Sequence, residues 1–473
     1  MKEYLRKTKI VGTIGPASEK EEKFTEIVEA GLSVARINFS HGGYEENAEK
    51  IATIKKVREN LQKPVALLLD TKGPEIRTGK LESGDEKVVI NEGQEFTFLN
   101  DDVIGNETKT SISYKDLYKD VVPGAKILVD DGSIEFEVLE ISGKDVICKA
   151  LNTARLGSRK TVNVPGLKLN LPALAPKDIA DLTNGVKANF DIIAASFVRR
   201  ADDVKQIRKL LDDNGGQDII IISKIESEEG VRNFEEILEL SDGIMVARGD
   251  MGVEIPAEQV PIVQKRFIKR CNEVGKPVIT ATQMLESMIQ NPKPTRAEVS
   301  DVANAVYDRT SAIMLSGECA VGKYPVVCID TMNKISKVTE NDINYWKRFN
   351  DKYVVNMTDD IEMGIATSTC ITAENIEADA IIAYAEKPEF AYKLASRGPK
   401  CPIFVMTNSE KTFHLLGVAW NVMPVLVNGA ENAIEKGMEI LKEKGLLETN
   451  NTVVVAGRKE EDQVIVSKVI KIK

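Results

Sequence analysis

Ile221-Ile222-Ser223-Lys224-Ile225-Glu226 is an apolar run that ends in opposite charges two residues apart, and Met245-Val246-Ala247-Arg248-Gly249-Asp250 repeats the form further along. Strand side chains alternate faces, so residues i and i+2 point the same way. Lys224 is therefore expected beside Glu226, and Arg248 beside Asp250, at the C-terminal ends of two otherwise buried strands. A charge within an apolar strand is costly unless it is paired or metal-bound. Two structural salt bridges would meet that requirement. Two acids and two cations converging on a metal ion and an anionic substrate meet it as well, and give the two pairs a common purpose.

Outward from this stretch, an apolar strand followed by an amphipathic helix recurs along most of the chain. Lys9 to Ile14, Val34 to Ser40 and Val65 to Asp70 read as strands, with helices over Glu21 to Ala30 and Glu45 to Leu61. That βαβαβ order implies parallel pairing. The rhythm resumes at Lys177, with strand ends expected at Ser196, Lys224, Asp250, Thr282 and Ser316. Three units before and five after make eight, with polar residues closing nearly every strand. This predicts a (β/α)8 TIM barrel whose active site lies at the C-terminal ends of the strands. An open doubly wound sheet is the alternative, but no GxGxxG follows any strand.

Between the third and fourth units the style changes. Residues 72–166 hold short alternating segments (Lys87 to Ile90, Phe96 to Phe98, Lys126 to Val129, Asp145 to Cys148) broken by Gly and Asp turns, with no convincing helix. They read as a small β-barrel lid domain inserted into an α/β host. The barrel is then expected over 1–71 and 167–340. Residues 341–473 form a C-terminal α/β domain with strands at Ala380 to Ala383, Pro402 to Met406, Val425 to Val427 and Thr452 to Val455. It lacks acidic pairs at its strand ends, so regulation or assembly is expected there rather than catalysis.

Composition narrows the chemistry. Hydrophobic residues make up 42% and charged residues 29%, ordinary for a soluble globular protein, and the net charge of −10 argues against nucleic acid or an acidic membrane as a partner. No apolar run is long enough to span a bilayer and the N-terminus has no signal-peptide pattern, so a cytoplasmic location is expected. The cysteines (Cys148, Cys271, Cys319, Cys328, Cys370, Cys401) are scattered without a CxxC pair and read as reduced thiols. With only His41 and His414, a Ser-His-Asp triad, a histidine-rich zinc site or a histidine relay is not expected. Carboxylates, Lys, Arg, hydroxyls and a hard cation must carry the reaction.

Eight motifs in order resemble the pyruvate kinase family. They are Lys9–Pro16 (KIVGTIGP), Ala35–Gly42 (ARINFSHG), Leu69–Arg77 (LDTKGPEIR), Ile222–Glu226 (ISKIE), Val246–Gly252 (VARGDMG), Thr280–Ser287 (TATQMLES), Asn291–Val302 (NPKPTRAEVSDV) and Met314–Glu318 (MLSGE). The resemblance covers essentially the whole chain. It implies a glycolytic enzyme that transfers phosphoryl from phosphoenolpyruvate to ADP, giving ATP and pyruvate, and that is usually a homotetramer. By the same resemblance Glu226 and Asp250 are Mg²⁺ (or Mn²⁺) ligands, Lys224 meets the transferring phosphoryl group, and Arg36 clamps the substrate phosphate. Gly249 and Asp250 offer backbone N–H groups to the substrate carboxylate. Thr282 helps protonate the enolpyruvate through water, with Ser316 and Glu318 nearby. Arg77, Asn38 and His41 face the nucleotide. Asn38, Ser40, Asp70 and Thr71 form a K⁺ site. Potassium-dependent members carry Glu where this chain has Glu75 and independent ones carry Lys, so K⁺ activation is expected. A metal-dependent barrel lyase or aldolase of oxaloacetate-like enolates would use the same acid pair without needing the lid, Arg77 or K⁺. A silent metabolite sensor would be expected to have lost Lys224, Glu226 or Asp250.

Two stretches depart from expectation. Gly317 to Lys323 fits GxxxxGK after a strand, but Tyr324 stands where a P-loop needs a Ser or Thr for Mg²⁺. In the C-terminal domain, regulated members bind a sugar phosphate through a hydroxyl- and glycine-rich loop. Here Tyr384 to Phe390 and Ala456 to Asp462 are poor in hydroxyls, and the second carries three acids. Carboxylates repel phosphate, so fructose 1,6-bisphosphate activation is expected to be absent or weak. Thr407 to Thr412 is hydroxyl-rich but reads as helix capping.

Overall fold

The computed structural model describes residues 5–40, 42–352, 359–460, 463–464 and 468–472. Eight parallel strands close into a barrel: β1 (Lys9–Thr13), β2 (Val34–Asn38), β3 (Ala66–Asp70), β4 (Ile192–Ala195), β5 (Ile220–Ile225), β6 (Gly243–Ala247), β7 (Val278–Ala281) and β8 (Ala312–Leu315). The pairing runs in sequence order from β1 to β8, and β8 closes on β1 through Lys9↔Ala312 to Gly12↔Leu315. Helices cover the outside, so both faces of every strand are buried and the strands read as continuous apolar runs.

The period of two sorts each strand between two cores. Ile10, Ala35, Leu67, Leu69, Ile193 and Ile221 point outward into the layer under the helices. Val11, Val34, Leu68, Ile192, Ile222 and Met245 point inward and fill the barrel. Continuing the inward face toward the C-terminal ends reaches Thr13, Arg36, Asp70, Ser196, Lys224 and Glu226. The polar site is thus the top layer of the same stack of inward side chains.

The lid enters after β3. Its seven-stranded sheet has the order Ile76–Arg77, Thr161–Asn163, Lys126–Val129, Ile134–Ser142, Asp145–Ala150, Glu95–Leu99 and Lys109–Ser111. The pairs are antiparallel except the last, and one short helix, Leu117–Asp120, interrupts the β pattern. Phe96, Phe98 and Phe136 pack edge-on and tilted at its centre. The first and last lid strands are neighbours, so chain entry and exit lie side by side on the barrel.

The C-terminal domain is built on a parallel core of Val422–Leu426, Ile403–Thr407, Ala380–Tyr384 and Thr452–Glu460, with Lys468–Lys471 pairing antiparallel to the last of these. The strand expected at Val425 to Val427 begins three residues earlier, at Val422. This domain closes the N-terminal end of the barrel, opposite the site. Lys9 Nζ donates to Val422 O at 2.6 Å, and Asn421 N to Lys7 O at 2.8 Å. Arg309 of the barrel caps the C-terminus of helix Glu389–Arg397 through Ser396 O at 2.7 Å, and Arg397 reciprocates on Asn272 O at 2.6 Å. All six cysteines are buried, unpaired thiols.

Candidate active site

At the C-terminal end of the barrel, Asp70 is the hub. It ends β3 and is 1% exposed. Its Oδ2 accepts Arg36 Nε at 2.6 Å, and its Oδ1 accepts Lys224 Nζ at 3.0 Å and Ser196 Oγ at 3.1 Å. Burial would push this carboxyl up, but Arg36 and Lys224 outweigh it and hold the group below its usual range. Arg36 also donates to Thr13 Oγ1 at 2.6 Å, while its Nη2 has no protein partner among the described residues. One edge of the guanidinium is fixed by the barrel and the other is left for a ligand.

Lys224 Nζ has three partners: Asp70 Oδ1 at 3.0 Å, Glu226 Oε1 at 3.0 Å and Ser196 Oγ at 2.8 Å. Burial works against its charge, but Asp70 and then Glu226 override it, and the ammonium is held charged. The expectation that Lys224 and Glu226 share a face is met. Glu226 Oε2 accepts the Phe197 N–H at 2.6 Å, and Phe197 takes a left-handed backbone (φ 54°) to deliver it. Burial and the neighbouring Asp250 push the Glu226 carboxyl up, against the pull of Lys224. Three carboxylates face two cations here. The unbalanced negative charge falls on Glu226 and Asp250, and a divalent cation would relieve it. Among the described residues the Asp250 carboxylate makes no protein hydrogen bond, and there is no cluster of three or more His, Cys, Asp and Glu side chains able to hold a metal. Two carboxylates with water and substrate oxygens completing the shell is a common arrangement for Mg²⁺.

The expected pairing of Arg248 with Asp250 is corrected. Strand β6 ends at Ala247, and Arg248–Glu254 is a helix, so i and i+2 no longer share a face. Arg248 instead holds Asp301 Oδ1 at 2.7 Å and the carbonyls of Ala281 and Thr282 at 3.1 and 2.6 Å. The second cation of the site is Arg36.

Thr282 follows β7 with φ 70°, an uncommon conformation for a β-branched residue. Its hydroxyl accepts the Gly249 N–H at 2.7 Å and donates to Ala281 O at 2.6 Å, tying the turn after β7 to the start of the Arg248–Glu254 helix. Ser316 follows β8. Its N–H donates to Glu318 Oε2 at 2.8 Å, and Glu318 Oε1 accepts Leu285 N at 3.1 Å. Asn38 and Asp70 are register partners on β2 and β3. Asn38 Oδ1 accepts the Ser40 N–H at 3.0 Å, and Thr71 Oγ1 accepts the Ser196 N–H at 3.0 Å. Arg77 stands apart in the first lid strand, paired with Glu75 at 2.6 Å and with Arg159 O at 3.0 Å. His41 lies outside the described residues.

Between the lid and the helix that bears Asp250 lies a recess open to solvent, whose walls include Glu75, Asp131, Asn163, Phe197, Asp250 and Glu254. Sequence reasoning missed Thr13 and Phe197, and saw Ser196 only as a strand end. Thr13 and Ser196 continue the inward parity of β1 and β4, a signal that was available. Phe197 acts through its backbone, which side-chain patterning does not report. In the C-terminal domain, the hydroxyls of Thr407 to Thr412 serve the backbone. Ser409 caps helix Glu410–Leu415 by accepting Thr412 N at 3.2 Å, and Thr412 donates to Glu386 O.

The family profile described as pyruvate kinase, barrel domain, matches residues 5–329, and that described as pyruvate kinase, alpha/beta domain, matches residues 364–472. The chain is 49% identical over 461 residues to a pyruvate kinase of Clostridium acetobutylicum, covering 96% of each chain. It is 45% identical over 459 residues to that of Clostridium perfringens, again over 96% of each. A crystal structure of a pyruvate kinase from Cryptosporidium parvum superposes with a TM-score of 0.94 at 37% identity, over 99% of this chain and 96% of that one.

Proposed function

Since the chain belongs to the pyruvate kinase family and is a phosphotransferase, we propose that it passes the phosphoryl group of phosphoenolpyruvate to ADP in the cleft above Asp70, as a cytoplasmic, glycolytic homotetramer. The observation that carries this reading is the buried cluster of Arg36, Asp70, Lys224 and Glu226 beside the unpartnered Asp250.

Phosphoryl transfer asks a protein for positioning and charge more than for covalent chemistry. The free edge of Arg36 takes the substrate phosphate, and its planar fork suits phosphate oxygens. Lys224 supplies a fixed positive charge to the group in transit. Glu226 and Asp250 would hold Mg²⁺ or Mn²⁺, which would supply positive charge to an anionic substrate. The backbone at Gly249 and Asp250 takes the substrate carboxylate, the Gly249 N–H exchanging its Thr282 Oγ1 partner for the ligand, and Arg77 and Asn38 face the ADP phosphates. The bond from phosphorus to the enol oxygen breaks as a β-phosphate oxygen of ADP bonds to phosphorus. The enolate left behind takes a proton at its methylene carbon, through water ordered by Thr282 with Ser316 nearby, and becomes pyruvate. Asn38, Ser40, Asp70 and Thr71 would supply the oxygens to hold K⁺.

The test is ATP formation from phosphoenolpyruvate and ADP with Mg²⁺, run with and without K⁺. Strong turnover that needs K⁺ is expected, and Glu75→Lys should abolish the K⁺ requirement while keeping activity. Fructose 1,6-bisphosphate at sub-saturating phosphoenolpyruvate should leave half-saturation nearly unchanged. Absence of ATP under all these conditions would sink the reading.

A further inference from the structure

The lid touches the barrel at the helix that bears Asp250. Asn163, last residue of the last lid strand, donates from Nδ2 to Glu254 Oε1 at 2.8 Å. The lid turn at Gly132 passes so close that a Cβ there would lie 3.6 Å from Val253 Cγ1. Val253 and Glu254 close the two-turn helix Arg248–Glu254 that Gly249 and Asp250 open. The strand Thr161–Asn163 lies between Ile76–Arg77 and Lys126–Val129, so it ties the lid's entry strand to the rest of its sheet. Beyond it the connecting segment is pinned to the barrel by Arg199, which donates to Leu171 O at 2.9 Å, and by Arg200, which donates to Leu169 O at 3.1 Å. The Glu254 carboxyl is raised by burial, with the Asn163 amide pulling it the other way and the nearby Glu228 and Asp250 adding to the rise.

We propose that Glu254 and Asn163 are positioning residues: their contact seats the lid on the helix that presents Asp250, so that closing the lid and aligning the metal ligand are one event. The inference rests on the phosphotransferase reading of the same cleft. Its consequence is water exclusion. With the contact broken, water competes with ADP: a water oxygen bonds to phosphorus, the bond to the enol oxygen breaks, and phosphoenolpyruvate becomes pyruvate and inorganic phosphate.

The experiment measures ATP and inorganic phosphate together, for the full-length enzyme with Mg²⁺, K⁺, phosphoenolpyruvate and ADP. Asn163→Leu cannot donate and Glu254→Leu cannot accept. Each is expected to raise the phosphate-to-ATP ratio about tenfold and to raise KM for ADP more than it lowers kcat. The double variant should be no worse than either single one, because one contact is lost in all three. Glu254→Gln keeps an acceptor and should recover most of the coupling. Thermal unfolding within a few degrees of wild type separates this effect from misfolding, and the two substitutions lie in different domains. An unchanged ratio in Asn163→Leu, or additive effects in the double variant, overturns the proposal while wild-type ATP formation stands. A wild-type enzyme that makes phosphate but no ATP overturns the functional reading and this one with it.

Discussion

Lys224 donates to Asp70 and Ser196 and lies 3.0 Å from Glu226, and it is the two carboxylates, Asp70 before Glu226, that keep this buried cation charged. A second buried cationic neighbourhood, at the other end of the barrel, acts in the opposite sense. His414 sits near Arg58, Lys411 and Asp191, and its Nδ1 has no partner among the described residues. Burial first, then Arg58, push the imidazole down from 6.5 to about 4, with Asp191 pulling weakly the other way. The unfolded chain therefore binds a proton between pH 6.5 and 4 that the native state refuses. The neutral ring's contribution is fully present above pH 6.5 and is lost as pH falls toward 4, at a cost of up to roughly 3 kcal/mol. Denaturant titrations at pH 7 and pH 5 check this: His414→Gln should lose less stability on acidification than wild type. An equal loss would remove His414 from the account. Single residues were the most legible scale for the site itself. Lys224 and Glu226 stood out because charge at the end of an apolar strand needs a reason, whereas Arg36 and Asp70 came with the family motifs. The roles of Thr13 and of the Phe197 N–H depended on which atoms the fold brings within 3 Å, and no run of letters states that.

At the scale of elements, the alternation of two and the recurrence of strand and helix specified the barrel, because parallel strands buried on both faces leave little choice of residue. Boundaries were less legible. Arg248 and Asp250 looked like strand residues, yet the chain turns into a helix at Arg248, since Gly249 N finds Thr282 Oγ1 and Arg248 finds Asp301. These partners are more than thirty residues away, beyond any local signal. The turn Leu416–Val418 illustrates the same limit. Gly417 presses against the carbonyls that precede β2 and β3, and a Cβ there would lie 2.5 Å from Pro64 O and 2.8 Å from Ser33 O. Neither backbone oxygen can swing aside as a side chain end could. Gly417→Ala is expected to destabilise by about 1–3 kcal/mol and to loosen the C-terminal domain from the barrel. Calorimetry would show a lowered or split transition. An unshifted single transition would mean that the domains separate there without cost.

Over the whole molecule, the two ends of the barrel divide the work. The N-terminal end is closed by the C-terminal domain through Lys7, Lys9 and the reciprocal Arg309 and Arg397 contacts. The C-terminal end carries the charged layer and the lid, with a solvent-open recess between the lid and the helix that bears Asp250. The central claim is that a fixed Lys224 charge, set in that layer, stabilises the phosphoryl group in transit. It is tested most directly by comparing ATP formation by wild type and Lys224→Met at saturating phosphoenolpyruvate, ADP, Mg²⁺ and K⁺, with folding checked by circular dichroism. Lys224→Met should fold and bind phosphoenolpyruvate, and its kcat should fall by about 10²- to 10³-fold, the scale of losing one preorganised charge at a reacting centre. A folded Lys224→Met enzyme that turns over at close to the wild-type rate would contradict the account.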